Sequence, residues 1–140
     1  MNSPGATPAF LAWLLATVST LGALFFSEIM GFAPCVLCWY QRIAMFPLVL
    51  VLAAGLLPFD TRVVRYALPL ALTGMAVALF HVAVVAGWIP ENLQPCRQGI
   101  PCAQVQVRWL GFVTIPLLSA LSFAGISGLL ITTHLQSKAK

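Results

Sequence analysis

The stretch Pro34-Cys35-Val36-Leu37-Cys38-Trp39-Tyr40-Gln41-Arg42 falls where one apolar segment ends and the next begins. Ala33 precedes a proline, which pushes it toward an extended conformation. Pro34 suits the first position of a new helix, because its missing N–H would have no helical partner there. Cys35 and Cys38 are then expected in the first turns of that helix, where unpaired N–H groups and the positive end of the helix dipole favour a thiolate. Cys35, Cys38 and Arg42 are spaced i, i+3, i+7, which predicts one shared helix face. Two sulfurs within bonding reach, with a permanent cation one turn further on, point to redox chemistry.

The surrounding chain sets where that chemistry happens. Of 140 residues, 61% are hydrophobic and 7% are charged, against about 25% charged in ordinary soluble domains. A fold of this size would lack the polar surface to cover itself in water, so the bilayer is its natural solvent. The net charge of +4 suits basic loop anchors. It does not suit nucleic-acid binding, since no run of Lys and Arg exists to track phosphates. Arg42 is the first basic residue, so the first apolar segment lacks the charged start of a secretory signal and reads as a retained span.

Four spans are expected, at about 8–26, 38–57, 65–88 and 110–133, each long enough to cross most of a ~30 Å hydrocarbon core. Together they predict an all-α membrane protein, a single four-transmembrane-helix bundle with two outer loops that carry the cysteines. Trp39 and Tyr40 belong to an aromatic belt and set the first cysteine pair at the membrane surface. Pro47 deprives the Ile43 carbonyl of its helical partner and predicts a kink, and Pro116 is expected to interrupt the fourth span. The polar stretch 89–109 holds Pro90, Pro95, Gly99 and Pro101 and reads as turn-rich. Within it, Gln104-Val105-Gln106-Val107-Arg108 alternates polar and apolar, as an extended interfacial segment would. His134 to Lys140 reads as a basic polar tail.

An even number of spans puts both termini on one side and both cysteine loops on the other. Arg62, Arg65, Lys138 and Lys140 lie on the terminal side, and Arg42, Arg97 and Arg108 on the cysteine side. This small asymmetry favours cytoplasmic termini and extracytoplasmic cysteines. Chemistry favours it more strongly, because disulfides persist outside the cytosol.

Cys35 and Cys38 form one pair in sequence, Cys96 and Cys102 the other. Four thiolates suit zinc, but five residues separate Cys96 from Cys102, wider than the usual ligand spacing, and no metal is expected. A purely structural cross-link within one helix turn would gain little loop entropy. Arg42 is either a snorkelling anchor or a cofactor contact, and the cost of an ionisable group inside a span favours the contact. His81 lies at a similar depth; its ring either binds a ligand oxygen or is satisfied by a neighbouring helix. Arg42 and His81 are therefore the candidate cofactor residues.

The motif Pro-Cys-Val-Leu-Cys-Trp-Tyr-Gln-Arg resembles the signature of the DsbB/BdbC family of bacterial disulfide-forming membrane proteins. Pro95-Cys96-Arg97-Gln98-Gly99-Ile100-Pro101-Cys102, followed by Trp109-Leu110-Gly111-Phe112-Val113-Thr114-Ile115-Pro116, is similar to the BdbC branch. The resemblance covers nearly the whole chain. It implies a thiol:quinone disulfide oxidoreductase of the bacterial cytoplasmic membrane. It also implies a bound quinone (ubiquinone or menaquinone) and a DsbA/BdbD-like partner of thioredoxin fold. By that analogy the partner's thiolate attacks Cys96 of a Cys96–Cys102 disulfide, and Cys102 passes the electrons to Cys35. Cys38 is left as the thiolate that reduces the quinone, with Arg42 on a quinone oxygen. The stretch between the second pair is shorter than in the best-known family members, which leaves a large or a small loop motion open. The alternatives are a quinone reductase like vitamin K epoxide reductase, whose Cys-x-x-Cys follows the loop pair in the chain, and a non-enzymatic metal-binding or scaffold bundle.

Overall fold

The computed structural model describes residues 3–104 and 107–139. Four long helices carry the chain: α1 (Ala6–Leu24), α2 (Val36–Leu56), α3 (Val63–Val85) and α4 (Ile115–Lys138). All four are long and apolar enough to cross a membrane. Each packs on its sequence neighbours, and α1 closes on α4, so the four form a ring. The chain is a membrane four-helix bundle.

Small residues let these helices approach closely, since in lipid it is packing, not hydrophobicity, that draws helices together. On α3 the buried residues Ala67, Ala71, Gly74, Ala78 and His81 recur at alternating steps of four and three, the spacing of one helix face. Phe123 of α4 fills the space that Gly74 leaves, and a Cβ at Gly74 would fall inside its ring. On α2, Leu37, Gln41, Ala44, Leu48, Leu52 and Gly55 form the matching inward stripe.

Helix ends differ from the sequence expectation in instructive ways. α4 begins at Ile115, not Leu110, because Arg108–Trp109 (β1) pairs antiparallel with Val113–Thr114 (β2) in a short hairpin. Thr114 then caps α4, its hydroxyl accepting from the Leu117 N–H at 3.4 Å. Pro116 sits in the first turn of α4, where it interrupts nothing because no helical bond is lost there. The expected tail from His134 is helical as far as Lys138, a cation well placed at the negative end of the helix dipole. Pro47 lies inside α2 without ending it. Of the expected extended segment, Val105 and Gln106 lie outside the described residues, and Arg108 belongs to β1.

α1 does not end as a regular helix. It runs on into a π-helical turn, Phe25–Ile29, in which the Met30 N–H reaches back five residues to the Phe25 carbonyl at 3.1 Å. Such turns leave a helix carbonyl available to side chains. Here the Ala23 carbonyl accepts from Ser27 Oγ at 3.2 Å and from Arg42 Nη2 at 2.9 Å.

Candidate active site

All four cysteines lie at one end of the bundle. Pro34 precedes the helix rather than starting it, and Cys35 is the N-cap of α2, with extended backbone (φ −75°, ψ 174°). Its sulfur takes the capping role of a hydroxyl, accepting from the Cys38 N–H at 3.3 Å. As a cap, Cys35 stands outside the helical register, so the three-residue face expected for Cys35, Cys38 and Arg42 divides in two. Cys38 and Arg42 line a cavity of about 320 Å³ among α1, α2 and α4. Cys35 turns toward α3 and does not line that cavity.

On its own side Cys35 meets His81 and the second cysteine loop. Cys35, Leu37, Val84 and Cys102 pack as one buried cluster. Cys35 Sγ is 2.9 Å from Cys38 Sγ and 3.8 Å from His81 Nε2. In the second loop Cys96 and Cys102 are joined by a disulfide, with Cα atoms 5.7 Å apart. The two partners differ in access: Cys102 is 1% exposed, whereas Cys96 is only half-buried.

Charge follows this geometry. The Cys38 thiol beside it, donating to Cys35, holds the Cys35 thiol down to about 4, against the upward push of burial, with His81 and the Cys38 N–H helping. Cys35 is thus a thiolate at neutral pH when the pair is reduced.

The structure separates the two candidate cofactor residues. Arg42 borders the large cavity, its guanidinium fixed by the Ala23 carbonyl and lying 5.4 Å from the Trp39 ring centroid. His81 borders a much smaller space of about 40 Å³ beside Cys35, Cys38 and Pro101. Both its ring nitrogens are engaged by the protein: Nδ1 with Gln41 Nε2 at 3.0 Å, Nε2 with the Cys102 carbonyl at 3.1 Å. Gln41, which borders the large cavity as well, was missed from the sequence; its place on the four-and-three stripe of α2 was the available signal.

The site suits an apolar organic ring better than a metal. Cys35, Cys38 and His81 bring ligand atoms within 4.8 Å of one another. Two sulfurs and one imidazole leave a structural zinc site one protein ligand short, and the imidazole is already committed to Cys102. The 320 Å³ cavity has the size of a small-molecule pocket. Its walls are mostly apolar, from residues such as Leu15, Phe26, Met45 and Leu118, with Ser19, Ser119, Ser122 and Gln41 as neutral polar groups and Arg42 as the cationic donor. A quinone ring with its carbonyl oxygens fits such a lining.

Comparison with known proteins agrees with this chemistry. The family described as "Disulfide bond formation protein DsbB" matches residues 6–133. The chain is 43% identical over 116 residues to the "Disulfide bond formation protein C" of Bacillus subtilis (strain 168), covering 81% of this chain and 83% of that protein. It is 48% identical over 122 residues to a "Probable disulfide formation protein" of Metapseudomonas resinovorans, covering 86% and 85%. A "Probable disulfide formation protein C 1" of Bacillus cereus (strain ATCC 10987 / NRS 248) is 43% identical over 120 residues, covering 84% and 85%. No solved structure matches the chain at a significant level. With its four membrane-spanning helices and two cysteine pairs at one end, the chain belongs to the DsbB family of disulfide bond formation proteins, on the BdbC side, and is a membrane disulfide oxidoreductase.

Proposed function

We propose that the protein reoxidises a soluble dithiol oxidase of thioredoxin fold and delivers the electrons to a membrane quinone. The observation that carries this reading is the division of the cysteines. Cys96 is the accessible half of the loop disulfide, Cys102 and Cys35 share a buried cluster, and of the four cysteines only Cys38 borders the large cavity. A partner thiolate attacks Cys96, forming a mixed disulfide and releasing Cys102 as thiolate inside the protein. Cys102 then attacks Cys35 of the Cys35–Cys38 disulfide. A Cys102–Cys35 bond forms, the Cys35–Cys38 bond breaks, and the electron pair leaves on Cys38 at the cavity wall. The partner's second thiol attacks its own sulfur of the mixed disulfide, releasing the oxidised partner and the Cys96 thiolate. Cys96 attacks Cys102, restoring the loop disulfide and freeing Cys35 as thiolate. A quinone held in the cavity supplies the two-electron acceptor that restores the Cys35–Cys38 bond.

The residues around Cys38 support the last part of this scheme. Arg42 lies one helical turn beyond Cys38 and aims a planar set of donors at the cavity. Membrane orientation follows from the chemistry: the termini are cytoplasmic and both cysteine loops face the oxidising side of the bacterial cytoplasmic membrane. The test is reoxidation of a reduced DsbA- or BdbD-like protein by the purified full chain. One quinol should form per partner disulfide, with no turnover when quinone is left out. Anaerobic partner oxidation without quinone that runs past the disulfides the protein itself carries would overturn the proposal.

A further inference from the structure

His81 is a polar residue in the interior of a membrane helix, a position that is costly unless both ring nitrogens find partners. One partner is Gln41, three residues beyond Cys38 on α2. The other is the backbone carbonyl of Cys102 in the second cysteine loop. A carbonyl only accepts, so Nε2 carries the ring proton and donates it. Nδ1 then accepts from the Gln41 amide, which fixes the tautomer and the ring plane. Among the described residues, this hydrogen bond joins Cys102 to the transmembrane helices. The loop around it holds itself with short-range bonds, such as Gln94 Nε2 to the Ile89 carbonyl at 3.0 Å and Gln104 N–H to the Pro101 carbonyl at 3.1 Å.

We propose that His81, oriented by Gln41, is the positioning residue that docks Cys102 against Cys35 and so sets how readily the loop pair exchanges with the helix pair. The inference rests on the relay proposed above. The latch holds backbone, not sulfur, so it survives opening of the Cys96–Cys102 disulfide and keeps the freed Cys102 thiolate beside its target. The same Nε2 is 3.8 Å from Cys35 Sγ, so one ring atom reaches both the Cys35 sulfur and the backbone of Cys102. A six-residue spacing between Cys96 and Cys102 gives the loop little slack, so a fixed Cys102 needs only a small movement to reach Cys35.

The test removes everything but the bond in question. In a full-length Cys38→Ser/Cys96→Ser protein in detergent, Cys35 and Cys102 are the remaining thiols. Oxidised glutathione takes up their two electrons, giving a Cys35–Cys102 disulfide and two reduced glutathiones, and the equilibrium reads the effective concentration of one sulfur at the other. Adding His81→Leu is expected to lower that value by about tenfold, the worth of one lost hydrogen bond. His81→Gln, which keeps an N–H donor of similar reach, is expected to recover most of it. Gln41→Leu, which leaves the ring in place but unoriented, is expected to give a severalfold loss. A residue that merely stabilised the fold would lower the melting temperature and leave the effective concentration alone. Equal values with and without the His81→Leu substitution would overturn the latch. Should His81→Leu not fold, an unchanged value in Gln41→Leu would overturn it instead. Failure of the Cys35–Cys102 bond to form even with His81 present would sink the relay itself.

Discussion

Arg42 Nη2 donates to the carbonyl oxygen of Ala23 at 2.9 Å, across the interface between α2 and α1. That carbonyl is presented where α1 gives way to a π-helical turn, so an irregularity in one helix fixes the guanidinium of another. The bond uses one of five guanidinium donors and holds the group at the rim of the cavity that Cys38 also borders. An arginine that only snorkelled would point its head into water.

With Arg42 as the quinone contact, Arg42→Lys is a poor replacement, because an ammonium is a mobile, strongly hydrated point charge without the planar fork. Losing a charged hydrogen bond costs about 1.5–3 kcal/mol, or on the order of ten- to a hundredfold in affinity. The expected outcome is a several-fold or greater rise in apparent quinone KM for Arg42→Lys and a larger one for Arg42→Ala. Steady-state kinetics with varied quinone measures it, and an unchanged KM in Arg42→Ala would reduce Arg42 to an anchor.

The half-buried Cys96 and fully buried Cys102 predict different fates for two electron donors. On the proposed relay, a folded partner would enter at Cys96 on the outer loop, whereas a small dithiol would also reach the half-buried Cys38 directly. Cys96→Ser is therefore expected to abolish oxidation of a thioredoxin-fold partner and to spare a substantial part of quinone reduction by dithiothreitol. Equal loss of both activities would show that the pairs do not divide the work.

Reduced protein is expected to carry one thiolate far below the ordinary thiol range. The Cys38 thiol lowers Cys35 to about 4, and a thiol is charged above its pKa. The thiolate ultraviolet absorbance assigned to Cys35 should thus persist from neutral pH downward and vanish only as pH falls through about 4. Cys35→Ser should remove that signal. Cys38→Ala, which takes away the side-chain donor, should move it to higher pH. A Cys35 signal that titrates in the ordinary thiol range in the parent would contradict the hydrogen-bonded pair.

Much of this was legible in the sequence. Hydropathy located four helices, and the paired cysteines located the chemistry, because both signals are written in residue type and short spacing. What escaped depended on how ends and neighbours meet. Cys35 leaves the helix face because it is a cap: α2 begins at Val36, two residues later than a start at Pro34. Leu110-Gly111-Phe112-Val113 is apolar enough to read as the start of a helix, yet Leu110 and Gly111 take positive φ and turn the chain into a hairpin. The roles of Gln41 and the Ala23 carbonyl arise from packing between helices. Only Gln41 left a trace in the sequence, its inward position on α2.

The close packing of Gly74 against Phe123 offers a stability test. A Cβ at Gly74 would enter the Phe123 ring, and overpacking of this kind costs about 1–3 kcal/mol. Gly74→Ala is expected to lower the melting temperature in detergent. Gly128→Ala is the matched control, since a Cβ there meets nothing within 4 Å and alanine improves helix propensity by about 1 kcal/mol. A Gly74→Ala protein as stable as the control would show that α3 and α4 are not packed this closely.

The central claim is that the Cys35–Cys38 pair empties its electrons into a quinone beside Arg42. Thiol counting on the fully reduced protein, before and after anaerobic addition of a short-chain quinone, tests it most directly, with Cys96→Ser/Cys102→Ser confining the reaction to the helix pair. The account predicts that this variant loses both remaining thiols and yields one quinol per chain. Two thiols still free after quinone is added, with no quinol formed, would contradict it.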